Sequence, residues 1–328
     1  MSHYLWMAGR STEARAFAQS AQVIADPLSD FPLRVGANFY VGTVCLTSGD
    51  YRQAEHYLRT VVKLVGGERH RDRCGLAAFP AAMARGYLTW ALTELGTFGD
   101  GVVLGEEGVR IAEALDHPYS LIVASWGLAH LHRVRGELDP AVRLLERALA
   151  LCHDWNLPVL TSITAGFLGY AYALSGRLTE GLPLLDAGHK AFESVQTLIV
   201  AQTGEAYLLA GELDHAVTSA GRAVRLARER DQRGYEAWAL LLLGDIAAQP
   251  ASLNSGVSES HYRQALALAD DLGMRPLLSR CHLALGTLYR RTGRRQEAEP
   301  QLAMAAAMCR EMDMRFWLAQ AETQMREL

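Results

Sequence analysis

Apolar residues recur along the chain at intervals of three and four, as in Leu138, Val142, Leu145, Leu149 and Cys152. This is the spacing of one buried stripe on an α-helix. The stripes are interrupted by a recurring phrase: a glycine, four residues, then a small residue. It reads Gly9 to Ala14, Gly49 to Ala54, Gly96 to Gly101, Gly136 to Ala141, Gly176 to Gly181, Gly211 to Ala216 and Gly293 to Ala298. An eighth copy, Ser260 to Ala265, lacks the glycine. Neighbouring small residues stand 33 to 49 positions apart.

A second column reinforces the first. Gly42, Gly169, Gly204 and Gly286 each precede a turn glycine by seven residues. Gly244 fills the same column if Pro250 to Glu259 is an insertion. The physics is that of a helical hairpin. A left-handed cap costs glycine little, so the turn glycine ends the first helix. Small residues before and after the turn let two backbones approach, and Gly286 is expected to face Ala298. Pro118, Pro158 and Pro276 mark the starts of new hairpins, because proline suits a first helical position.

The motifs Leu285-Gly286-Thr287-Leu288-Tyr289 with Gly293 and Ala298, and Leu168-Gly169-Tyr170-Ala171-Tyr172 with Gly176, resemble the tetratricopeptide repeat. Gly204-Glu205-Ala206-Tyr207 with Gly211 is similar to it too. The family's early tryptophan is missing: its column holds Asn38, Arg85, Ser125, Ala165 and Val200. The long period resembles the superhelical domain of maltose-regulon-type activators. Tyr262–Ala269, Leu272–Leu277 and Leu288–Gly293 resemble the C-terminal repeats of bacterial signalling proteins that carry cyclase and ATPase domains. The resemblance implies an all-α superhelix of about eight hairpins over residues 1–328, as one domain. Its turns fall near 9, 49, 96, 136, 176, 211, 250–258 and 293, with a capping helix at about 315–328. It also implies cyclase or ATPase partners, encoded upstream or in trans.

Composition narrows the function without naming it. The 328 residues are 50% hydrophobic with a formal charge of −4, which gives no overall drive towards nucleic acid. The longest strongly apolar run, Ala237 to Gly244, is far too short to cross a membrane. Five cysteines without C-x-x-C spacing fit a reducing cytoplasm. The two lysines, Lys63 and Lys190, lie outside any phosphate-binding loop. His130 and His132 are two apart, and Cys152-His153 and Cys281-His282 are adjacent, so neither spacing places a metal pair on one helix face. The expectation is a protein without catalytic residues, cofactor or metal.

In this repeat family the first helices line the concave face. Carrying that over by column gives a partner-binding row of Phe39, Thr43, Trp90, Glu94, Trp126, His130, Arg133, Tyr170, Glu205, Asp245 and Arg290. Its N-terminal half is aromatic and its C-terminal half charged. Accessible rings anchor partners, so the row is expected to bind a peptide or partner domain. The alternative is a sugar or metabolite sensor, and an enclosed pocket rather than an open groove would favour it. Gly66–Gly75 and Gln249–Ser258 read as loops. The arginine groups 290–295 and 222–233 read as solvated faces. Only eight residues precede Gly9, so either the chain is a piece of a longer protein or the first hairpin is frayed or shielded by a partner.

Overall fold

The computed structural model describes residues 1–250 and 254–328. Among the described residues there are 17 α-helices and no strand. They form hairpins: α1 (Ser2–Met7) with α2 (Ser11–Leu28), α3 (Phe31–Ser48) with α4 (Tyr51–Leu64), α5 (Pro80–Glu94) with α6 (Phe98–Ala114). Next come α7 (Pro118–Arg135) with α8 (Leu138–Asp154), α9 (Pro158–Leu174) with α10 (Leu178–Gly188), and α11 (Glu193–Leu209) with α12 (Leu213–Glu229). Then follow α13 (Arg233–Ala247) with α14 (Ser255–Leu272), α15 (Arg275–Arg291) with α16 (Arg295–Glu311), and the closing helix α17 (Arg315–Arg326).

The two sequence columns do the work their spacing predicts. Gly136 is left-handed at φ 85°; its amide donates to the Arg133 carbonyl, and that of Glu137 to His132. These bonds satisfy carbonyls that the helix end would strand. All eight small residues are buried. Gly286 does lie where the helices meet, but its neighbour is Leu302: a β-carbon there would sit 2.6 Å from the Leu302 Cγ. Ala298 is one helical turn away.

The expected loop at 249–258 is shorter than its composition implies. Asn254 caps α14 by accepting from the Val257 amide at 3.1 Å, so residues 255–258 are helical. Ala251, Ser252 and Leu253 lie outside the described residues. The 66–75 segment contains a 3₁₀ turn, Gly67–Arg71, and Arg69 sits 4.0 Å over the Phe31 ring.

The hairpins wind tightly. Each early first helix touches the one five hairpins later: α1 meets α11, α3 meets α13, α5 meets α15 and α7 meets α17. The contacts are specific. Trp6 meets Phe192 edge-on at 5.3 Å, Tyr51 is buried against Gly234, and the Trp317 indole donates to the Val134 carbonyl at 3.0 Å. The chain's own α11 region therefore shields the short first hairpin. The helix expected as a cap on the last hairpin also docks on α7.

Candidate functional site

The first helices line the superhelix axis, and α7 spans it. Tyr119, Val123 and Trp126 face a cavity at one end, His130 lies midway, and Arg133 and Gly136 face a second cavity at the other. Between the two cavities the axis is filled. Trp90 stacks flat on His130, centroids 4.2 Å apart, and Phe167 wedges against Trp90 and Trp126 at 5.4 and 5.9 Å.

A buried polar chain runs through this plug. His130 Nε2 donates to Glu94 Oε1 at 2.8 Å, and the Trp238 indole donates to Glu94 Oε2 at 3.3 Å. Arg133 Nη2 lies 2.7 Å from His130 Nδ1. A guanidinium can only donate, so Nδ1 accepts and the proton sits on Nε2. Burial enforces the same state: it pulls the His130 pKa down to about 4, against the pull of Glu94. The Arg133 guanidinium lies 4.9 Å over the Tyr170 ring, and the Tyr170 hydroxyl donates to Glu205.

These positions correct the expected aromatic groove. Trp90, Trp126 and Tyr170 are 8%, 5% and 3% exposed, so they form an axial core rather than an accessible ladder. The cause is close approach of the first helices. A β-carbon on Gly127 would lie 2.0 Å from the Gly86 carbonyl oxygen, so α5 and α7 meet backbone to backbone. Glu94 and His130 are buried with the rings. Arg290 is elsewhere: it donates to Gln324 and pairs with Glu327 at 3.0 Å, tying α15 to α17.

The remaining candidates divide between the cavities. Phe39, Thr43 and Trp126 line the N-terminal one, of about 320 Å³. Arg133, Glu205 and Asp245 line the C-terminal one, of about 660 Å³. There the Tyr262 hydroxyl donates to Asp245 Oδ1 at 2.8 Å. Burial raises the Asp245 carboxyl to about 6, although Arg280 pulls the other way. Arg280 lies 3.5 Å from Glu205 Oε1 and spreads over Trp317 at 4.3 Å and Trp238 at 5.4 Å.

Arg280, Trp238, Tyr262 and Trp317 were not in the row read from sequence. Two carry a signal that was there to read. Trp238 and Arg280 stand seven residues before Asp245 and Thr287, two helical turns back on the same face. Chemically the cavity offers fixed charges of both signs beside aromatic faces. Among the described residues no group of three His, Cys, Asp or Glu side chains could hold a metal. Nor is any described helix long and apolar enough to cross a membrane.

This is a tetratricopeptide-like superhelix with a closed axis and a charged cavity at its C-terminal end. No family model matches the chain, and no curated protein matches it by sequence. Solved structures match its fold. The Rap conjugation regulator of plasmid pLS20, in complex with the Phr* peptide, superposes with TM-score 0.64 at 14% identity. That match covers 86% of this chain and 75% of the regulator. A Rap protein complexed with competence and sporulation factor gives 0.61 at 12% identity, over 95% and 96% of the two chains. A signal-transduction ATPase with a tetratricopeptide repeat sensor, from Pyrococcus horikoshii, gives 0.54 at 17% identity. That match covers 89% of this chain and 42% of the ATPase.

Proposed function

We propose that residues 1–328 act as one non-catalytic recognition unit of a cytoplasmic signalling system, and that the C-terminal cavity takes a short peptide. The carrying observation is the juxtaposition in that cavity of Arg280, laid over Trp317, with Glu205 and Asp245. Guanidinium and carboxylates together suit a ligand that presents both charges, and the Trp317 and Phe316 rings suit its apolar parts. A volume of about 660 Å³ accommodates a few residues, not a helix. The fold likeness to a regulator holding the Phr* peptide supports this reading. Catalytic partners, a cyclase or ATPase on the same polypeptide or in trans, would receive the signal.

One observation favours the second reading, a metabolite sensor: the site is an axial cavity, where a domain-sized partner would need an open groove. A library of five-residue peptides, screened by affinity selection and followed by calorimetry, separates the two. We expect enrichment of a charged sequence whose affinity falls at least about tenfold in Arg280→Met. Absence of any enriched peptide, with saturable binding of sugars or other metabolites instead, would establish the sensor reading.

A further inference from the structure

The N-terminal cavity differs in kind from the C-terminal one. Its walls are aromatic, among them Trp6, Phe39, Trp126 and Phe192. No Asp, Glu, Lys or Arg lines it. Its one imidazole, His3, is kept neutral, since burial lowers its pKa. A charged ligand entering here would lose its hydration with no counter-charge to replace it.

The cavity is nevertheless not wholly apolar. Tyr40, Tyr87 and Tyr119 line it, and their hydroxyls have no hydrogen-bond partner among the described residues. Tyr40 and Tyr87 each meet the Phe39 ring edge-on at 5.7 Å, and Tyr119 lines the same cavity. Burial raises the pKa of each, and Tyr119 adds to the shift of both Tyr40 and Tyr87. All three residues are half-buried rather than sealed off, so phenols without a protein partner around one space leave a place where a ligand oxygen would be held.

Size sets the rest. An apolar cavity of about 150 Å³ admits benzene, and this one measures about 320 Å³. It is too small for a helix and large enough for two fused rings.

We infer that the N-terminal cavity is a second ligand site, for an uncharged two-ring aromatic molecule bearing a hydroxyl or carbonyl oxygen. The rings stack against Trp6 and Trp126, and the tyrosine hydroxyls hold the oxygen. This assignment does not depend on what occupies the C-terminal cavity.

The test uses 2-naphthol on the full chain, followed by calorimetry and by quenching of the indole fluorescence. We expect one saturable site. The anion 2-naphthoate, which keeps the two rings but carries a charge, should bind at least about tenfold more weakly, and its uncharged amide, of the same size, should not. Ala77 lines the cavity and is exposed, so Ala77→Trp should fill the site without disturbing the core. It should abolish naphthol binding while leaving the melting temperature unchanged. The double variant Tyr87→Phe/Tyr119→Phe should weaken 2-naphthol and leave naphthalene unaffected. Absence of saturable naphthol binding would overturn the assignment. So would equal binding of naphthoate, or binding that survives Ala77→Trp and is lost in Arg280→Met.

Discussion

Gly136 lies directly beneath Phe316: a β-carbon on the glycine would sit 2.5 Å from the phenylalanine Cβ. These residues are 180 positions apart in the chain, in the turn after α7 and at the start of α17. The same relation recurs where Gly9 abuts Glu193, Gly49 abuts Gly234 and Gly96 abuts Arg275. Gly176, Gly211 and Gly293 occupy the same turn position with nothing within 4 Å. One turn of the superhelix thus rests on the glycines of the previous one.

A matched pair of variants isolates that contact. Gly136 and Gly176 have φ values of 85° and 79°, so alanine meets the same backbone strain, about 1–2 kcal/mol, at either site. At Gly136 it also meets Phe316, whose Cβ moves only if α17 moves. We expect Gly136→Ala to cost a further 1–3 kcal/mol or about that, the usual cost of overpacking. Equal melting temperatures for the two variants would mean that the turns of the superhelix do not bear on each other.

Trp126→Ala should destabilise the fold. Its indole is buried, donates to Thr164 Oγ1 at 2.9 Å and meets Phe167 edge-on. Removing a core tryptophan typically costs about 3–5 kcal/mol. Chemical denaturation checks this; a variant with unchanged stability would return Trp126 to the class of exposed anchors.

Asp245 and His130 respond to pH in opposite directions. Asp245 has a folded pKa of about 6 against 3.8 unfolded, so the folded state binds more protons between those values. Stability is therefore lost as pH rises through this window, and the loss is complete above about 6. Asp245→Asn should melt higher than the parent at pH 7.5, by an amount on the order of 1–3 kcal/mol, and match it near pH 4. No gain at pH 7.5 would show that the carboxylate is fully compensated by Arg280.

His130 runs the other way. Its folded pKa, about 4, lies below the ordinary 6.5, so its contribution is present above 6.5 and lost as pH falls towards 4. Nitrogen-15 spectra should show a neutral Nε2–H ring through pH 6. A ring that titrates near 6.5 would contradict the Glu94–His130–Arg133 geometry.

Arg280 and Arg290 should separate by function. Arg290→Glu is expected to loosen the C-terminal end of α17, where Gln324 and Glu327 lie, visible as faster amide exchange over residues 321–326, while leaving Trp317 at the other end and the C-terminal cavity's ligand affinity intact. Arg280→Met should do the reverse. If both variants lose the ligand equally, α17 responds as one unit and the far end of the helix governs the site that Trp317 lines.

The sequence by itself determined the hairpins, because everything that makes them is local. A turn glycine, a small residue five positions on and a stripe at three and four all act within one repeat. The start of α14 was misplaced because Asn254 capping outweighs a polar composition. The sequence also named Glu205 and Asp245, since each directly follows a glycine of the second column, and Arg133 as a neighbour of His130. It placed Arg290 with them because column counting cannot see which neighbour a long side chain will reach.

Only the tertiary structure decided whether the aromatic row is a wall or a plug. That depends on the pitch of the superhelix, the sum of small rotations between repeats. The pitch is set by contacts such as Gly86 on Gly127 and Phe316 on Gly136. Each joins residues from different repeats, and no period within the sequence encodes their meeting. Packed this closely, the first helices leave no room along the axis for Trp90 and Trp126 to face solvent, and the cavities lie at the two ends of that plug.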